Sequence, residues 1–313
     1  MSKEIKPANL QENVSLANHT TFRIGGAAKY FLVAKNKEEL VEAVNWAKAN
    51  SLSFFILGGG SNILFSDQGY DGLIVKMKNE EIIFSSAEDL TVNCGAGAPL
   101  AEVLFEATSR GWGGLEWALG IPGTLGGAVC GNAGRLGQDL SQLVLSVRIL
   151  DENLMEKEVL ASDCQFSYRD SRFKHNQEII LGATLKFIKQ DKNKAEELLR
   201  EAQKVIEKMP NFPSAGSVFK NYIVAEDDEL IKNHSEVKEK IRGGKLAAGF
   251  LIQACGLTSR QIGGAQIWSN HGNFILNVDK AKASDVLALI ELAKKSVMEK
   301  FGVKLEEEIR YLK

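Results

Sequence analysis

Three glycines in a row, Gly58-Gly59-Gly60, stand directly behind an apolar run, Ser53-Phe54-Phe55-Ile56-Leu57, and ahead of Ser61-Asn62. The run reads as a buried strand, and the triplet at its end is backbone without Cβ atoms that can approach a ligand closely. Peptide N–H groups presented by such a loop form a concave site for anionic oxygens, and Ser61 and Asn62 add side-chain partners. The spacing matches neither G-x-G-x-x-G nor G-x-x-x-x-G-K-[ST], so the usual dinucleotide and P-loop signatures do not apply.

A second glycine-rich stretch constrains the chain further. Residues 111–137 hold ten glycines in 27 residues, more than a packed element tolerates, so this backbone is read as shaped around a ligand. Its centre is Gly120-Ile121-Pro122-Gly123-Thr124-Leu125-Gly126-Gly127, continuing to Asn132-Ala133-Gly134. Two glycine loops point to a long ligand held at several places, a description a dinucleotide meets better than a mononucleotide.

At 313 residues the chain has room for two or three domains. Its formal net charge of −2 leaves no basic footprint for nucleic acid. No run approaches the roughly 20 apolar residues of a membrane helix, and Met1-Ser2-Lys3-Glu4-Ile5-Lys6-Pro7 lacks the apolar core of a signal peptide. Cys94, Cys130, Cys164 and Cys255 are scattered, which fits reduced thiols in a cytoplasmic protein. His19, His175, His234 and His271 show no metal-ligand spacing, so no metal is expected. No G-x-S-x-G elbow points to a serine hydrolase.

Strand and helix signals alternate over residues 1–75, with a capping box at Asn36-Lys37-Glu38-Glu39 opening a helix through Asn50. Residues 76–195 are richer in strands: Leu90–Cys94, a hairpin of 143–150 with 154–160 around Asp151-Glu152-Asn153, and 179–188. Pro99 stands where a helix begins. A helix over 192–209 carries Ala195, Leu198, Leu199, Ala202, Val205 and Ile206 at helical spacing. The third region, 196–302, reads as a helix from Lys245 to Cys255, a strand over 273–278, and a long amphipathic helix capped by Ser284. Residues 304–312 are strand-like and are expected to return to the first region, as part of 303–313. Strands and helices grouped in separate regions predict an α+β fold rather than a doubly wound sheet.

Two polar segments complete the pattern, Ser167-Tyr168-Arg169-Asp170-Ser171-Arg172 and Pro213-Ser214-Ala215-Gly216-Ser217-Val218-Phe219-Lys220-Asn221. With Thr20-Thr21-Phe22-Arg23-Ile24-Gly25-Gly26, Leu57–Asn62, Gly120–Gly134, Lys245–Ile252, Ile262–Gln266 and Leu305–Arg310, they occur in an order that resembles the UDP-N-acetylenolpyruvoylglucosamine reductases (MurB). The segment after Ile188 lacks a tyrosine-bearing insertion, so the resemblance is to the shorter, type II form. It spans nearly the whole chain. Departures are the reduction of the usual basic run to Lys204 and Lys208, Tyr222 after Asn221, Trp268, and Cys130-Gly131 before Asn132.

The resemblance implies a vanillyl-alcohol-oxidase-type FAD-binding fold over 1–75 and 76–195, plus a separate α/β domain for the UDP-sugar over 196–302. It implies non-covalent FAD held by Gly58, Gly59, Gly60, Ser61 and Asn62, then by Ile121, Pro122, Gly123, Thr124, Gly126, Gly127, Asn132, Ala133 and Gly134. NADPH is the implied reductant, and an enolpyruvyl UDP-sugar the implied substrate. The implied catalytic groups are Arg169, Ser217 and Glu308, with Glu306 left as the alternative carboxylate. Lys220, Asn221, Lys245 and His271 are the implied substrate contacts. A monomer is expected. The competing readings are an FAD-linked oxidase acting on another sugar or alcohol, and a nucleotide sensor built on a retired enzyme.

Overall fold

The computed structural model describes residues 6–207 and 209–313, so the reading of residues 1–5 and of Lys208 lies outside the described residues. Contacts gather into two compact units. The first comprises Met1–Asn13, Lys29–Gly59 and Asp71–Met209, and the second Val14–Ala28, Gly60–Tyr70 and Pro210–Lys313. The division falls inside the glycine triplet, between Gly59 and Gly60.

The first unit has two cores. One lies under a four-stranded sheet ordered Gln11–Ser15, Ala27–Ala34, Tyr70–Met77, Ser53–Leu57, whose last two strands run parallel from Ser53 opposite Gly72 to Leu57 opposite Lys76. Parallel neighbours need a crossover, which residues 58–69 supply here, while the helix Lys37–Ala49 connects Ala27–Ala34 to Ser53–Leu57. Asn36 caps that helix by accepting from Glu39 N at 2.8 Å, while the Glu39 carboxylate accepts from Lys35 N at 2.7 Å. Its apolar face, Leu40, Ala43, Val44 and Ala47, is buried with Leu32, Leu73 and Val75. Tyr30 meets Trp46 edge-on at 5.0 Å.

The other core lies under a five-stranded antiparallel sheet ordered Glu156–Leu160, Val144–Leu150, Ile179–Lys186, Thr91–Gly95, Ile82–Phe84. The hairpin between its first two strands is fixed by Asp151, whose carboxylate accepts from Asn153 N and Met155 N at 2.9 Å each. Helices Leu100–Ser109 and Leu125–Gly131 contribute to this core, and Pro99 is the residue before the first of them rather than its first residue. The helix Lys192–Ile206 forms as its periodicity requires. Leu199 and Ile206 pack on this core, while the side chains of Ala195, Leu198, Ala202 and Val205 lie outside the described ones.

In the second unit the helix Ala283–Phe301 buries Val286, Leu289, Ile290, Ala293 and Val297 against the helix Ala248–Ala254 and a three-stranded antiparallel sheet. Those strands are Gln261–Ile262, Ala265–Ile267 and Ile275–Asn277. Strand Arg310–Leu312 pairs in parallel with Ile63–Phe65. Separate parallel and antiparallel blocks make the fold α+β, as the sequence predicts.

Two local readings are corrected. Lys245 does not open a helix: Lys245–Leu246 is a short strand paired with Tyr222–Ile223, because Gly243 and Gly244 both take positive φ and turn the chain first. Ser284 does not cap the long helix but is its second residue. The free amides of Ala283 and Ser284 donate instead to the Asp67 carboxylate at 2.6 and 3.0 Å, a partner distant in sequence. Asp67→Ala is therefore expected to lower unfolding free energy in urea by about 1 kcal/mol, as loss of a helix cap does. An unchanged urea midpoint would show that those bonds add nothing.

Candidate active site

The two glycine loops meet inside the first unit. A Cβ on Gly58 would lie 2.6 Å from Thr124 Oγ1, and one on Gly59 would lie 2.7 Å from Gly123 Cα. Gly127 lies across from Gly58, 3.9 Å from the same point. Only hydrogen atoms fit in this gap. Thr124 stands at the start of helix Leu125–Gly131 yet makes no capping bond, and its buried Oγ1 has no hydrogen-bond partner among the described residues. A buried hydroxyl without a partner costs free energy unless a ligand or water completes it. Glycine backbone beside such a hydroxyl fits the phosphate oxygens of a dinucleotide.

The rest of the predicted cofactor belt divides by what each residue already touches. Pro122 is exposed, whereas Ile121 is half-buried and packs on the core under the antiparallel sheet. Gly126 packs against Ala96, where a Cβ would lie 2.8 Å from the Ala96 Cβ, so this glycine seats the helix on the strand end. Ala133 donates its N–H to Ala128 O at 2.8 Å, ending the helix. Gly134 packs on the Gln138–Asp139 backbone of a tight hairpin. The Asn132 amide is 1% exposed and engaged within the protein: Nδ2 donates to Ser167 O at 2.9 Å and Oδ1 accepts from Ser141 N at 3.0 Å.

Arg169 also belongs to the first unit, half-buried in a two-residue turn between Ser167 and Asp170. Its Nη2 donates to Gly134 O at 2.6 Å, which ties the guanidinium to the glycine belt.

The second unit assembles the other predicted groups. Gly60 has φ +68° and abuts His19, whose carbonyl oxygen would lie 2.1 Å from a Cβ there; its own carbonyl accepts from Thr21 N at 3.1 Å. Ser61 comes next, half-exposed, and Asn62 Nδ2 donates to Glu308 O at 3.0 Å. The chain from Ser217 to Lys220 runs antiparallel to residues 306–308: Glu308 N donates to Val218 O at 2.7 Å, and Lys220 N to Glu306 O at 2.8 Å.

Partners sort the three glutamates that sequence left together. Glu306 is exposed and pairs with Lys220 Nζ at 2.6 Å, and Glu307 pairs with Lys294. Glu308 is half-buried, and its backbone lies against Val218, next to Ser217. Lys220 is thus committed to a partly exposed ion pair, which adds little stability. Asn221 Oδ1 accepts from Ala248 N at 3.2 Å and so serves the start of helix Ala248–Ala254. Lys245 is half-buried on the strand opposite Ile223.

His271 meets Phe274 edge-on at 5.2 Å, and its Nδ1 accepts from Asn273 N at 3.2 Å. Partial burial lowers its pKa, which suits an acceptor nitrogen that must stay neutral.

Sequence reasoning missed Asn273. It is 3% exposed; its Oδ1 accepts from Phe219 N at 2.9 Å and its Nδ2 donates to Phe219 O at 2.8 Å. Val218 N donates to Asn273 O at 2.9 Å, so one asparagine fixes the strand that carries Ser217. A polar residue just before the apolar Phe274-Ile275-Leu276 was the available signal. Among the described residues no cluster of three His, Cys, Asp or Glu could hold a metal, and no helix is long and apolar enough to cross a membrane.

Known proteins share both halves of this arrangement. A family model described as an FAD binding domain matches residues 28–153, which places the chain among flavoproteins. A second, described as the C-terminal domain of UDP-N-acetylenolpyruvoylglucosamine reductase, matches residues 188–312. The reductase of that name from Synechococcus sp. strain JA-3-3Ab is 37% identical over 97% of this chain and 91% of its own. That of Caldicellulosiruptor bescii is 38% identical over 95% and 88%. The crystal structure of the Thermus caldophilus reductase (MurB) superposes with a TM-score of 0.75 at 28% identity, covering 97% of this chain and all of that one. The chain belongs to the UDP-N-acetylenolpyruvoylglucosamine reductase family.

The gap between Gly59 and Gly123 yields a direct test. Gly59→Val is expected to weaken FAD binding by about five- to 150-fold in a flavin titration of apoprotein, since overpacking of this kind costs about 1–3 kcal/mol. Wild-type affinity in that variant would remove the loop from the cofactor site.

Proposed function

We infer that this chain is an FAD-dependent oxidoreductase that uses NADPH to reduce UDP-N-acetylenolpyruvoylglucosamine to UDP-N-acetylmuramate, a step in peptidoglycan precursor synthesis. The observation that carries the reading is the meeting of the two glycine loops around the unpartnered Thr124 hydroxyl, in a chain whose relatives bear this enzyme's name across almost their full length. Bound FAD supplies a hydride carrier between NADPH and the enolpyruvyl double bond. Gly58, Gly59, Gly123, Thr124 and Gly127 would hold its phosphates.

The remaining chemistry falls to side chains. Hydride addition to the terminal methylene of an enol ether leaves negative charge on the neighbouring carbon and its carboxylate. A fixed cation should stabilise that charge, and an acid must then protonate the carbon. Arg169 suits the first task, because a guanidinium presents a planar donor fork to a carboxylate. Ser217 is assigned the proton: its hydroxyl would donate to the carbon beside the carboxylate as the charge there collapses. Glu308 is preferred over Glu306 as the catalytic carboxylate, because Glu306 is exposed and paired with Lys220. Lys220, Asn221, Lys245 and His271 are assigned to the sugar nucleotide. In this reading residues 1–75 and 76–195 serve the flavin and 196–302 the substrate, with 303–313 returning to the flavin side. A cytoplasmic location fits the nucleotide-linked reactants, NADPH and a UDP-sugar.

Purified protein should be yellow, bleach with NADPH under anaerobic conditions, and recolour on adding the enolpyruvyl sugar nucleotide. Ser217→Ala is expected to slow the recolouring step by about 10²–10⁴-fold, the usual worth of a positioned acid, and bleaching far less. Equal slowing of both steps would contradict the proton-donor role. Recolouring by oxygen alone at a comparable rate would overturn the reductase reading.

A further inference from the structure

Arg169 is held in a conformation that an arginine does not choose unaided. Its φ is +59°, in the left-handed region that favours glycine, at the second position of a two-residue turn. The turn is closed by Ser167 N to Asp170 O at 3.1 Å and by Asp170 N to Ser167 O at 3.2 Å. Such a conformation persists only where the surroundings over-determine it.

The surroundings here are specific. Asn132 Nδ2 donates to the carbonyl of Ser167 at the start of the turn, at 2.9 Å. Lys174 Nζ donates to the carbonyl of Arg169 itself, at 2.5 Å. Ser171 Oγ, just past the turn, donates to Cys130 O at 2.7 Å. The guanidinium donates to Gly134 O at 2.6 Å. Residues 130–134 therefore hold both the backbone of the turn and the functional end of Arg169. Asn132 can do so because it is itself left-handed, with φ +41° at the end of helix Leu125–Gly131, which buries its amide and directs it away from solvent.

We propose that Asn132 and Lys174 are positioning residues for Arg169, locking its turn so that the guanidinium is aimed before substrate arrives, and that Asn132 is not a cofactor ligand. The proposal rests on the assignment of Arg169 as the group that stabilises substrate charge. Misplacing a reacting group by about 1 Å can cost of order a hundredfold, so loss of either tether should be visible in the rate without loss of the flavin.

The test uses whole enzyme and three readouts: FAD affinity by titration of apoprotein, the rate of flavin reduction by NADPH, and the single-turnover rate with the enolpyruvyl sugar nucleotide. Asn132→Gly keeps the left-handed backbone and removes the amide; Lys174→Met keeps the stem and removes the donor. Each is expected to slow the sugar-nucleotide step by about ten- to a hundredfold, with FAD affinity within about twofold of wild type. Lys174→Arg should restore most of the rate. Combined with Arg169→Ala, neither should add a further loss, because both act through that side chain.

An FAD affinity that falls in step with the rate in Asn132→Gly would make Asn132 a cofactor ligand and overturn the proposal for it. Full additivity with Arg169→Ala would overturn it for either residue. If Asn132→Gly does not fold, Lys174→Met decides. Arg169→Ala with an undiminished sugar-nucleotide step would instead remove the assignment of Arg169, a distinct failure that takes the inference with it.

Discussion

The site depends on a contact made possible by missing atoms. Gly58 and Gly59 lie so close to Gly123 and Thr124 that any side chain at either glycine would overlap them. The first pair directly follows a strand of the four-stranded sheet, and the second introduces the helix Leu125–Gly131, which packs on the antiparallel sheet. Their approach brings the two glycine loops of the first unit together. Interiors are packed too densely to absorb an added carbon without displacing backbone. The same absence of side chains leaves peptide groups and the Thr124 hydroxyl available to a ligand.

In each unit, asparagines among the described residues hold the protein's own backbone. Asn62, Asn132, Asn221 and Asn273 each bind backbone at a strand end, a helix end or a turn. An asparagine offers one donor group and one acceptor, so it satisfies two buried backbone groups at once without bringing a charge inside. The groups assigned to chemistry, Arg169, Ser217 and Glu308, are half-buried and lie beside these amides. Side chains whose neighbours are already fixed in this way need little reorganisation to stabilise charge.

The legible parts of the fold were those that local chemistry decides. Asn36 with Glu39 announced a helix, Asp151 a hairpin, and Ser53–Leu57 a strand ending in glycine, and each formed there. The order of the glycine and polar segments carried the family. What was not legible came from partners far away in sequence. The start of the helix Ala283–Phe301 is completed by Asp67, not Ser284, and Lys245, turned by Gly243 and Gly244, found its strand partner in the distant Tyr222–Ile223. Asn273 gave little sign that it clamps Phe219, and three adjacent glutamates could be told apart only by their separate neighbours. Many of the predicted cofactor glycines proved to serve packing as well, which a reading by motif does not distinguish.

The pairing of Arg310–Leu312 with Ile63–Phe65 has a bearing on how the molecule is made. Ile63 leaves the ribosome early, and its parallel partner is added only after almost everything between them has been synthesised. Domains fold as they emerge, so the earlier cores can condense while that strand position stands open. Closing it brings Glu308 beside Val218 in the same movement. Nascent chains would therefore complete the Ile63–Phe65 pairing, and the backbone contact of Glu308 with Val218, only after the cores of the first unit can have condensed.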